Sequence, residues 1–104
     1  MADGLAKMMK EAQKLEKRLT DVRKKLEEMT VEGSSGGWAV TITMSGQRDV
    51  LKVSMDPGVL EDGDVEMLED LLLSALRDAK QKSDELASTE MAKVTAPGLP
   101  PGLF

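Results

Sequence analysis

The sequence predicts an α+β protein: a long N-terminal helix, a three-stranded antiparallel meander, and a C-terminal helix. Three observations predict it. Residues 3–29 hold no proline and repeat apolar positions at helical spacing. Residues 30–63 turn to Gly, Ser, Thr and Val with period-two alternation, and residues 64–93 return to helix formers. A length of 104 residues fits one domain, placed at 1–96, followed by a Pro/Gly-rich tail at 97–104 with three of the four prolines.

In the first segment Leu5, Met8, Ala12, Leu15, Leu19, Val22, Leu26 and Met29 form an unbroken heptad seam with alternating spacings of three and four. Asp3 can cap this helix, set at residues 4–29 and about 38 Å long at 1.5 Å per residue. That length exceeds what a sheet of this size can cover, so part of the seam is expected to meet a second chain or the other helix.

The strands follow from alternation. Met29–Gly33 is expected as a short first strand and Ser34-Ser35-Gly36-Gly37 as a loop. Val40, Ile42 and Met44 alternate with hydroxylic residues; Leu51, Val53 and Met55 alternate with Lys52 and Ser54. Ser45-Gly46-Gln47-Arg48 is the hairpin turn between them, with Gly46 expected to take positive φ. Asp56-Pro57-Gly58 ends the third strand. The last helix is expected to begin at Asp62 or Asp64, with Val65, Leu68, Leu72, Ala75, Leu76, Ala79, Leu86 and Met91 as its buried stripe. Leu15, Leu19, Val22, Leu26, Trp38, Val40, Ile42, Leu51 and Val53 are the expected core or dimer contacts.

Composition removes most chemistry. Without Cys or His there is no disulfide framework, thiol nucleophile, zinc finger, imidazole base or Ser-His-Asp triad. No pattern calls for a metal, cofactor or small-molecule substrate. An apolar run of about 20 residues, as a membrane span needs, is missing, and so is a signal-peptide core. A non-enzymatic cytoplasmic protein is expected.

Charge is segregated. The total is −5, yet residues 3–29 sum to +2, and residues 56–70 carry seven acids and no base. Lys7 and Lys14 (heptad c) and Lys10, Lys17 and Lys24 (f) form one stripe opposite the seam, with Arg18 beside it. Lys ammonium groups at this spacing suit phosphates as point charges. A solvated outer face is the plainer reading of the same stripe. The acidic run reads as a solvated helix start, because it lacks a calcium-loop pattern. Trp38 reads as a packing anchor before a base-stacking platform.

Met8-Met9-Lys10-Glu11-Ala12-Gln13-Lys14-Leu15 resembles the opening helix of the YbaB/EbfC family of nucleoid-associated proteins. Val31–Gly37 and Val40–Gly46 resemble its strands. Met55-Asp56-Pro57, Leu60-Glu61-Asp62 and Glu66–Leu71 resemble the approach to its final helix, and Gly98-Leu99-Pro100-Pro101-Gly102 its tail. Trp38 and Thr41 depart from the small residue and the Lys common in that family. The resemblance implies a cytoplasmic, nucleoid-located homodimer that binds double-stranded DNA and alters its conformation, with helices projecting like tweezer arms. Lys7, Lys10, Lys14, Lys17, Arg18 and Lys24 are the expected DNA contacts. The alternative is a prefoldin-like helix-hairpin-helix chaperone subunit, whose two helices would pair with each other along their length.

Overall fold

The computed structural model describes residues 2–61 and 63–95. The expected tail lies outside them. The elements run α1 (Ala2–Glu28), β1 (Thr30–Ser35), β2 (Val40–Ser45), β3 (Val50–Met55), a 3-10 turn at Pro57–Leu60, and α2 (Val65–Thr95). The predicted fold class and element order are what the structure contains. The first strand starts one residue later than expected and ends two later, so that it takes in Ser34 and Ser35.

The sheet is an antiparallel meander in the order β1-β2-β3. Gly33 stands opposite Ile42, and Ile42 opposite Val53. A register break at Thr43/Met44 leaves Leu51 without a partner residue on β2. β2 is central, so its alternation becomes a core: Val40, Ile42 and Met44 are buried against Ala75 and Ala79 of α2, with Val31, Leu68, Leu71 and Leu72 around them.

That core is thin because α2 lies almost in contact with the β1 backbone. A Cβ on Gly33 would sit 2.5 Å from the Ala75 carbonyl oxygen and 2.6 Å from the Ala79 Cα. Only small residues fit such a crossing, which explains the i, i+4, i+8 series Ala75, Ala79, Ser83, all fully buried. The expected α2 stripe is therefore corrected: Val65 and Leu76 are exposed, and Ser83 and Glu90, not anticipated, are buried. Polar bonds complete the seal. The Ser34 backbone N–H donates to Asp78 Oδ2 at 3.0 Å, Ser35 Oγ to the Leu71 carbonyl at 2.6 Å, and Lys82 Nζ to the Glu32 carbonyl at 3.0 Å. These contacts cover the β1 edge. Among the described residues the β3 edge has no such cover, and all six residues of the strand are exposed.

Helix α2 starts where expected: the Asp64 carboxylate accepts the Met67 N–H at 3.0 Å as an N-cap. Asp56 does the same for the 3-10 turn, through the Gly58 N–H at 3.0 Å. Because α2 packs on the sheet through Ala75, Ala79 and Ser83, the prefoldin-like alternative, in which the helices pair throughout, does not describe this chain.

Candidate nucleic-acid interface

The β2–β3 turn seats α1. Gly46 N–H donates to the Leu26 and Met29 carbonyls, both at 2.9 Å, and Gln47 Nε2 to the Arg23 carbonyl at 2.6 Å. The bond to Leu26 satisfies a carbonyl that the end of a helix leaves orphaned. Gly46 is required by proximity, since a Cβ there would lie 2.7 Å from the Leu26 carbonyl oxygen. The positive φ expected at Gly46 falls instead on Arg48, at 68°. Ser45 holds the turn: its Oγ accepts the Gln47 and Asp49 N–H groups, and its carbonyl accepts the buried Ser83 hydroxyl at 2.8 Å.

An ionic clamp fixes α1 to α2 just above this seat. Glu90 is buried, and its carboxylate accepts from Lys25 Nζ at 3.0 Å and Lys93 Nζ at 3.1 Å. The Lys25 bond, then the Lys93 bond, holds the Glu90 carboxyl below its ordinary value against the opposing effect of burial. Ser83 meets the sheet and Glu90 meets Lys25, so α2 runs antiparallel to α1 and climbs beside it.

Above the clamp α1 is not covered by any described residue. Leu19 is half-buried, Val22 and Leu26 are buried, and every described position from Asp3 to Arg18 is exposed. The molecule is accordingly long, with principal extents of 73 × 22 × 17 Å. Lys7, Lys10, Lys14, Lys17, Arg18 and Lys24 are all exposed. From Lys7 to Lys24 the stripe spans about 25 Å at 1.5 Å per residue.

Among the described residues the ion pairs take Lys25, Arg48, Lys82 and Lys93, none of them in the stripe. The acidic run lies at the other pole. Asp56 N–H donates to the Ala39 carbonyl, and Leu71 stands against Gly36, so the run gathers around the β1–β2 turn. The seat of α1 is at the opposite, β2–β3, turn. No group of His, Cys, Asp or Glu suited to a metal occurs among the described residues, and no described helix is long and apolar enough to cross a membrane.

The expected core is only partly the chain's own. Val22, Leu26, Val40 and Ile42 are buried within it. Leu15, Trp38, Leu51 and Val53 are not; their exposures are 40%, 67%, 56% and 46%. Trp38 sits in the β1–β2 turn with φ 74°, and its side chain is exposed there. Leu51 is the unmatched residue of β3, and Val53 lies on the strand that α2 leaves uncovered.

The α+β scaffold covers one sheet edge and projects a helix whose cationic back forms no ion pair among the described residues. The sequence profile of the YbaB/EbfC DNA-binding family matches residues 1–99, and the chain belongs to that family. A nucleoid-associated protein of Acetivibrio thermocellus is 42% identical over 98 residues, covering 93% of this chain and 87% of the relative. One from Gluconacetobacter diazotrophicus is 43% identical over 101 residues, covering 96% and 94%. The crystal structure of the uncharacterized protein HP0035 from Helicobacter pylori has the same fold, with a TM-score of 0.73 and 21% identity over 81% of this chain and 88% of that one.

Proposed function

We propose that the protein binds double-stranded DNA in the nucleoid as a homodimer, mainly through phosphate contacts made by Lys7, Lys10, Lys14, Lys17, Arg18 and Lys24. The observation that carries this reading is that the exposed cations Lys7, Lys10, Lys14, Lys17, Arg18 and Lys24 line one projecting helix and form no ion pair among the described residues. The names of the family and of its nucleoid-associated relatives support the choice of DNA.

The dimer half of the proposal rests on β3. An open strand edge with Val50, Leu51, Val53 and Met55 exposed is a surface that monomers rarely leave bare. Pairing of two copies there would leave both α1 helices free to straddle a duplex, with preference set by duplex shape and bendability.

A salt-titrated gel shift on a random duplex tests the DNA half. Each phosphate contact contributes about −0.9 to the slope of log K against log salt, so two helices with about three contacts each give about −5. Lys10→Gln, Lys14→Gln and Lys17→Gln together should weaken binding on all sequences alike and flatten the slope. Arg77→Gln with Lys80→Gln, on exposed α2 positions, should not. Equal loss in both variants refutes the assignment to α1. Sedimentation tests the dimer: the expected mass is twice 11.3 kDa, and Val53→Asp should halve it.

A further inference from the structure

Among the described residues Glu90 is the one charged side chain that is buried. Both of its oxygens are engaged. Oε2 accepts from Lys25 Nζ on α1 at 3.0 Å, and Oε1 accepts from Lys93 Nζ, one turn further along α2, at 3.1 Å. As a source of stability such a group is a poor choice, because apolar side chains of similar volume often hold a fold as well or better. What the carboxylate adds is direction. Val22 and Leu26, buried on either side of Lys25 in the sequence, pack by hydrophobic burial, which sets no angle. A charge-assisted bond of 3.0 Å does.

We propose that Glu90 is a positioning residue for DNA binding: through Lys25 it sets the tilt of α1, and so where Lys7, Lys10, Lys14 and Lys17 meet the duplex. The proposal rests on the reading of α1 as the DNA-contacting arm, and adds to it a residue that makes no contact with DNA.

Leverage makes so small a bond matter. The lower end of α1 is a pivot, since the Gly46 N–H holds the Leu26 and Met29 carbonyls and β1 begins at once at Thr30. Lys25 stands about 6 Å from Met29 along the helix and Lys7 about 33 Å, at 1.5 Å per residue. A displacement of about 1 Å at Lys25 therefore becomes about 5 Å at Lys7. Phosphates follow one another about every 3.4 Å along each strand of a duplex, so an arm displaced by about 5 Å is out of step with them. Lys93 has a different part. It lies on the same helix as Glu90 and cannot tie α1; it occupies Oε1 and keeps the carboxylate from turning Oε2 away from Lys25.

The chain has no cysteine, so two engineered thiols are the only labelling sites. Nitroxides go on Glu11→Cys of α1 and Gln81→Cys of α2, both exposed and neither in the cationic stripe. The dipolar distance between them is read in the full chain, diluted with unlabelled protein. The native clamp should give one narrow distance distribution. Lys25→Met with Glu90→Met should broaden it by about 4 Å, the leverage at Glu11, while Tm stays within a few degrees. The same variant without labels should bind a random duplex about ten-fold more weakly at 50 mM salt, which is the loss of about one phosphate contact. Should the paired variant not fold, Glu90→Gln, measured well below its Tm, carries the same two expectations. A distribution as narrow as the native one in the folded variant overturns the proposal and leaves the clamp a structural contact. A broadened distribution with unchanged affinity overturns it too. Native-like binding by the variant with Lys10→Gln, Lys14→Gln and Lys17→Gln refutes the arm as the DNA site, and the proposal with it, even where the distances show that the clamp sets the tilt.

Discussion

Gly33→Ala should be the most damaging single-methyl change in this chain. The new Cβ would meet the Ala79 amide nitrogen, the Ala75 carbonyl oxygen at 2.5 Å and the Ala79 Cα at 2.6 Å. All three are backbone atoms of a helix, so no side chain can rotate away. Ordinary carbon contact needs about 3.5–4.0 Å, so α2 must lift from β1 by about 1 Å. Lifting it loosens Ala75 and Ala79 from Val40, Ile42 and Met44, which is the whole central core. It also stretches the Ser34–Asp78 and Ser35–Leu71 bonds, now 3.0 and 2.6 Å. Overpacking alone costs about 1–3 kcal/mol. With the loosened core and two weakened bonds added, about 3–5 kcal/mol is expected. In a domain of this size each kcal/mol is worth about 4–8 °C, so Tm should fall by at least about 12 °C. The assay is thermal and urea unfolding followed by circular dichroism, at equal protein concentration. Gly37→Ala is the control: φ is 63° there but nothing lies within 4 Å, so only the left-handed penalty of about 1–2 kcal/mol applies. If Gly33→Ala costs no more than Gly37→Ala, the close helix–strand crossing is not what holds this fold.

Ser83→Ala should cost about 1 kcal/mol in urea unfolding, since it deletes one buried hydroxyl bond while the Ser45 carbonyl keeps the Arg48 N–H at 3.0 Å. Glu90→Gln should lower Tm at pH 7 by a few degrees. Because the folded carboxyl titrates below the ordinary 4.5, its contribution is complete above that value and is lost as pH falls through the depressed one. The deficit of the variant should therefore close in melts below pH 4.5, and a deficit that widens on acidification would contradict the Lys25–Glu90–Lys93 clamp. Trp38→Gly should leave stability unchanged or raise it by up to about 1 kcal/mol, because it relieves a left-handed backbone under an exposed ring. A loss in calorimetry would show that the ring is anchored on a partner.

Element type and order were legible because three different periodicities follow one another along the chain. The seam was legible too, but not where its cover would end. That depends on Glu90 reaching Lys25, a pairing across 65 positions that no local pattern announces. On α2 the apolar pattern finds Ala75 and Ala79 but adds Val65 and Leu76, which are exposed, and passes over Ser83; the marker of the buried stripe is size, with Ala75, Ala79 and Ser83 recurring every four residues opposite a strand glycine. The cationic stripe was readable from heptad positions, whereas its freedom from ion pairs was not. Lys25 and Lys24 are neighbours in sequence; only the tertiary structure shows that Lys25 is spent on Glu90 and Lys24 is not paired among the described residues.

The placement of opposite charge at opposite poles bears on how an acidic chain can approach a polyanion at all. At 0.1 M salt an exposed charge is felt over about 10 Å, whereas the long axis here measures 73 Å. The acidic pole is thus several screening lengths away when the arm touches a duplex, and the net −5 ceases to describe the encounter. Farther out, or in dilute buffer, both poles are sensed, and the molecule behaves as a charged compass needle. The field of the duplex exerts a torque that turns the arm inward and the acidic pole outward before contact. Lowering the salt should then speed association less than the arm's own charge would suggest, because the far pole begins to push back as its screening is withdrawn.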